Sequence, residues 1–162
     1  MSSANDSARQ LLRHTLATVA YRGGKALRGA PPSFASYRPG EKSRTAAQLL
    51  AHMGDLYDWA LSMAVGKQAW HDSKPLEWHN EVERLFATLK KFDDYLASDS
   101  PLHASLEGLF QGPVADSLTH IGQIAMMRRL ADCPIRAENY FKAEIMAGRV
   151  GGDQAAPRLE FD

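Results

Sequence analysis

Apolar residues recur at three- and four-residue intervals through four long segments, and strand-type alternation is nearly absent. A chain patterned this way carries apolar stripes, so its core has to form between helices. Residues 7–22 place Ala8, Leu11, Leu12, Leu16 and Val19 on one stripe, and Gly23-Gly24 is the expected stop. Pro31-Pro32 and Pro39-Gly40 then exclude regular helix over a long loop. Thr45 and Gln48 have the spacing of a capping box, which predicts a second helix starting near Thr45. Its stripe is Leu49, Met53, Leu56, Ala60 and Met63, and Gly66 ends it.

Residues 67–75 read as a connection. The cleanest amphipathic pattern follows over residues 76–97, with Trp78, Val82, Leu85, Phe86, Leu89, Phe92 and Leu96 opposite a charged face. A short helical turn is expected over 102–110. Pro113 suits the first position of a fourth long helix running to about Ala131, with a ridge of Leu118, Ile121, Ile124, Met127 and Leu130. A last short helix is predicted over 137–147, and residues 148–162 read as a surface tail. These elements predict an all-α fold, a four-helix bundle with extra short helices. The 162 residues make one domain, with its core over about 7–147.

Charge removes several classes of function. Nineteen basic and nineteen acidic residues cancel, and no segment carries a basic stripe. No nucleic-acid partner and no polybasic membrane contact are therefore expected. The single cysteine, Cys133, has no partner for an internal disulfide, which fits a reducing compartment. The first residues show neither a basic n-region nor an apolar h-region, and no apolar run approaches the ~20 residues that cross a bilayer. The expected location is cytoplasmic.

The residues able to carry chemistry lie inside the apolar patterns. Asp116 and His120 are separated by one helical turn and so share a face. His120 falls within the buried arc and Asp116 at its edge. A carboxylate there needs a partner, an ion or access to water. Gln123 follows on the same side and is placed to orient a ligand by hydrogen bonding. His52 sits on the shoulder of the second helix's stripe. In helical bundles, metal sites are built from such inward side chains on facing helices. Two imidazoles and one carboxylate accept zinc, nickel, iron or manganese, and leave positions open for catalysis.

The other polar and aromatic residues have plainer expectations. His14, His71, His79 and His103 read as solvated or locally capping. Trp59, Trp70 and Trp78 read as packing residues, with room for one at a pocket mouth. Arg128 and Arg129 complement a helix C-terminus.

Residues 45–56 (TAAQLLAHMGDL) and 118–130 (LTHIGQIAMMRRL) together resemble the DinB-like superfamily. The resemblance spans roughly residues 7–147. It implies an up-down-down-up four-helix bundle, often a homodimer. It also implies a divalent-metal site made by one His of the second helix and a His-x-x-x-His pair of a later one. His52 matches the first ligand and His120 the last, while Asp116 stands where the family has the pair's first His. That exchange changes the charge and softness of the site. Some relatives are similar to thiol-dependent transferases, which implies a small-molecule substrate and a low-molecular-weight thiol. Three readings stay open: a metal-dependent transferase or hydrolase, a non-catalytic dimeric module with a vestigial or ligand-binding pocket, and an ion-paired core in which Asp116 and His120 only stabilise each other.

Overall fold

The computed structural model describes residues 4–161. Among these, four long helices enclose the core: α1 (Ala4–Leu27), α2 (Ala46–Ala64), α3 (Trp78–Ala97) and, after the short α4 (Leu106–Leu109), α5 (Ala115–Leu130). The fold is all-α apart from a two-residue antiparallel pair, β1 (Ala137–Glu138) with β2 (Glu160–Phe161). α2 packs against α3 and α5, and α1 packs against the same two. Leu16, Leu50, Met53, Tyr57, Leu89, Phe92 and Ile124 are fully buried between them. No helix among the described residues is long and apolar enough to cross a membrane.

Local chemistry explains where α2 begins and ends. The Thr45 hydroxyl accepts from the Gln48 amide at 3.2 Å, and the Gln48 side chain accepts from the Thr45 amide at 2.8 Å. The predicted capping box is therefore formed. At the other end Gly66 takes φ 77°, a conformation open to glycine, and a side chain there would also meet His103.

α1 departs from its expected boundary. It runs through Gly23-Gly24 to Leu27 instead of stopping. Both glycines are buried, and an added Cβ would lie 3.4 Å from Ile121 at Gly23 and 3.6 Å from Phe86 at Gly24. Those are ordinary contacts, so no clash demands glycine here; burial of Tyr21, Ala26 and Leu27 on either side carries the helix through and outweighs the pair's weak helix propensity. The chain turns out only at Gly29, where φ is 68°.

Pro113 also differs from expectation. It does not open a helix but lies inside a π-helical turn, Phe110–Val114, that joins α4 to α5 without a break. Proline has no N–H to complete an α-helical ladder, and the wider turn absorbs the missing bond.

The C-terminal segment is docked against the body of the fold. The helix predicted over 137–147 is replaced by β1 and a 3-10 turn, Tyr140–Lys142, and the expected surface tail packs back onto α1. Val150 joins the core at 2% exposure. Lys25, buried on α1, donates to Glu138 at 2.7 Å and lies 3.3 Å from Glu160, so one buried cation holds both strands. The Tyr21 hydroxyl donates to Glu138 at 2.6 Å. Tyr140 packs edge-on against Tyr21, and the Arg22 guanidinium covers the Tyr140 ring at 4.3 Å. These contacts outweigh the local helical pattern.

Arg128 acts on backbone. It is buried and donates to the carbonyls of Ala26 at 3.0 Å, Arg28 at 2.8 Å and Cys133 at 2.7 Å. It thereby satisfies the free carbonyls at the end of α1 from α5.

Replacing Glu138 by Ala strips a buried cation of its shortest partner. The expected cost is about 3 kcal/mol in urea unfolding, with new protease cleavage in residues 137–161 of the folded protein.

Candidate metal centre

Packing of α2 against α5 brings together the three residues singled out from the sequence. His52 Nε2 lies 3.6 Å from Asp116 Oδ2, and His120 Nε2 lies 3.3 Å from the same oxygen. All three ligand-capable atoms fall within 4.8 Å of one another. The two imidazole rings stand nearly perpendicular with centroids 5.0 Å apart. For metal–ligand bonds near 2.0–2.1 Å, a tetrahedral edge is roughly 3.3 Å. The separations from Asp116 thus suit one ion between the three side chains, with a fourth position free.

Hydrogen bonding defines what the pocket lacks. His120 Nδ1 is 2.8 Å from Gln123 Oε1, an oxygen that only accepts, so Nδ1 carries the proton. Nε2 is then a bare lone pair. It is buried and has no hydrogen-bond partner. An Asp116 carboxylate oxygen, itself an acceptor, lies 3.3 Å away. Acceptors gathered around one point are stabilised by a cation or a proton between them.

Neighbouring residues hold this geometry. A buried Tyr57 hydroxyl donates to Ser117 Oγ, which donates to the Val114 carbonyl at 2.8 Å. This bond ties α2 to α5 beside Asp116, and burial holds the Tyr57 phenol in its protonated form. Trp70, from the connection after α2, packs edge-on against His52 at 5.6 Å and against Trp59 at 5.8 Å. Trp70 is half-exposed over His52, while Trp59 lines the cleft beside Asp116, the pocket position left open for one tryptophan. Burial, the positive charge of Arg44 and the facing His120 lower the basicity of His52, against the pull of Asp116. A neutral imidazole is the form that ligates.

Three clefts meet at the cluster. One of ≈ 430 Å³ borders His120, one of ≈ 350 Å³ borders His52, and one of ≈ 360 Å³ borders Asp116. Leu130, expected on the buried ridge, instead lines the His120 cleft at 55% exposure.

Sequence reasoning missed a second cluster. Asp55 and Asp58 of α2 meet His71, expected to be merely solvated, with His71 Nε2 at 2.9 and 3.4 Å from the two carboxylates. Ligand-capable atoms again lie within 4.8 Å. Here, however, Arg84 of α3 hydrogen-bonds Asp55 directly and reaches Asp58 at 3.4 Å. Ser73 donates to Asp55 through its amide at 2.8 Å and its hydroxyl at 2.7 Å. Although burial works to raise the Asp55 pKa, the Ser73 and Arg84 hydrogen bonds hold it below its usual value. The guanidinium already fills the cation's role, so this cluster anchors the connection after α2. Gly54 makes room for it, since a Cβ there would meet the guanidinium at 3.0 Å. An acid inside the apolar run around Asp55 was the available signal.

No family model matches the chain, and no curated protein or solved structure compared with it matches either.

A depressed folded-state pKa for His52 means that the unfolded chain binds the proton more readily. Its contribution to stability is full above the unfolded value of about 6.5 and is lost as pH falls toward the folded one. In metal-free protein, His52→Gln is expected to flatten part of the acid-side fall in Tm below about pH 6.5, measured by thermal unfolding across pH.

Proposed function

We propose that this chain is a metal-dependent enzyme of the DinB-like kind acting on a small molecule. In this reading His52, Asp116 and His120 hold a divalent ion of zinc, nickel, iron or manganese type. The observation that carries it is the buried Nε2 of His120, without a hydrogen-bond partner and within 4.8 Å of ligand-capable atoms of Asp116 and His52. The second cluster sharpens the contrast: Arg84 stands inside it, and no lysine or arginine pairs with Asp116 among the described residues. A divalent ion in such a site lowers the pKa of a ligating thiol or water and so supplies a nucleophile near neutral pH. The chain's own residues do the rest. Gln123 fixes the His120 tautomer, Tyr57 and Ser117 fix the spacing of α2 and α5, and Trp70 shields His52 from water.

The reaction fitting this site is transfer of a low-molecular-weight thiol to an electrophile, or hydrolysis. An up-down-down-up bundle is consistent with the connections. Extended, residues 65–77 reach up to ~43 Å, against a length of ~28 Å for α2, so α3 is free to start beside the start of α2. An apolar groove of ≈ 410 Å³, where Leu11 and Phe110 are exposed, supports a homodimer.

One observation favours a second reading, a non-catalytic module. Asp116 replaces a histidine of the family pattern, and at 3.3 Å it also makes an ion pair with a protonated His120.

Two experiments separate these readings. Protein purified without chelator or affinity-tag nickel is expected to carry one metal per chain by elemental analysis. The His52→Ala/His120→Ala variant should stay helical by circular dichroism and lose that metal, whereas unchanged metal content in the folded variant would end the proposal. Metal at a hundred times its Kd should add about 2.7 kcal/mol of stability, a Tm rise of roughly 5–10 °C for a chain of this size. Asp116→Leu/His120→Met should abolish that rise. If the pair is only ionic, the same double substitution is neutral or stabilising and metal shifts neither protein.

A further inference from the structure

The cleft beside His120 points to the charge and shape of the substrate. We infer that it takes a carboxylic acid with an apolar body, its carboxylate paired with Arg44; this rests on the metal-centred reading above. Arg44 lies just before the cap of α2 and borders both the His120 cleft and the His52 cleft. Three other arginines are committed: Arg13 to Asp93, Arg84 to Asp55 and Arg128 to backbone carbonyls. Among the described residues Arg44 makes no hydrogen bond and no ion pair, so its planar fork of donors is free.

The cleft is otherwise lined by apolar groups, among them Leu49, Met127 and the exposed Leu130. Gln123 lines it too, and with its oxygen engaged by His120 it keeps its amide NH₂ as a second donor. One guanidinium, one amide and no second basic side chain other than the ligand His120 line this cleft, which matches a single negative charge. That favours a carboxylate over a doubly charged phosphate ester. Guanidinium–carboxylate pairing is bidentate and charge-assisted, and it would orient the apolar body along the cleft toward His120.

The test uses 4-phenylbutyrate and its neutral amide as probes, titrated calorimetrically into metal-loaded and metal-stripped full-length protein. The acid is expected to bind about ten-fold more tightly than the amide in both forms. Arg44→Gln should reduce that preference to less than about two-fold with metal content unchanged, and Arg44→Lys should restore part of it. Equal binding of acid and amide, binding of neither, or a preference that survives Arg44→Gln would overturn the assignment. So would a preference present only with metal, since the carboxylate would then be ligating the ion. Failure of the metal reading shows separately, as protein that carries no metal yet keeps the Arg44-dependent preference.

Discussion

Burial of α2 between α3 and α5 is the constraint from which both polar clusters follow. Leu50, Met53, Tyr57, Ala60 and Ala64 of this helix have essentially no solvent contact. Sliding α2 by one residue would rotate its faces by ~100°. Each large apolar side chain brought into water would cost about 1.5–3 kcal/mol. The register of α2 is therefore fixed by its apolar side. His52 and Asp55, three residues apart, have no freedom of their own: one meets α5 and the other meets α3. The Tyr57–Ser117 hydrogen bond adds a directional lock on the same interface, one residue from Asp116.

The far end of α5 is held by a different device. Arg128 reaches the terminal carbonyls of α1, and the same end of α1 carries Lys25, which gathers Glu138 and Glu160 from the C-terminal segment. Residues 137–161 thus close the α1 side of the fold instead of trailing from it. The metal-capable residues lie nearer the start of α5, and the charges that fasten the helix are spent elsewhere. Asp116 keeps no lysine or arginine partner among the described residues.

Legibility in the sequence followed the range of the interactions. The four long helices, the capping box at Thr45 and the stop at Gly66 rest on contacts within a few residues, and periodicity and glycine chemistry reveal them. Gly23-Gly24 misled because a glycine pair is the same on paper whether it ends a helix or lies inside one held by the buried Tyr21, Ala26 and Leu27 around it. The 137–147 segment misled because its structure is imposed by Lys25, more than a hundred positions earlier. The meeting of Asp116 and His120 was readable as one helical turn. Their meeting with His52 required the α2–α5 interface, and the place of Gln123 required only its spacing. His71 escaped notice because a loop histidine carries no period, although the acids awaiting it at Asp55 and Asp58 stood in an apolar helix and needed partners.

Two clusters with nearly the same ligand-capable geometry differ in one physical respect, the source of positive charge. At Asp55 it is covalently part of the chain: Arg84 is always charged, and hydrogen bonds satisfy the carboxylate around it. Asp116 is 45% exposed and reaches water, and any positive charge beyond the two imidazoles comes to it from solution, as a proton or a metal ion. A proton would make one imidazole cationic, and two cationic rings 5.0 Å apart repel each other, which is part of what lowers the basicity of His52. Arg44 acts in the same direction from the rim. The surroundings therefore oppose filling both imidazoles with protons. A single ion shared by both lone pairs and the carboxylate avoids the repulsion between two charged rings, and Asp116 offsets half of a divalent charge. The electrostatics that weaken His52 as a base leave it suited to act as a ligand.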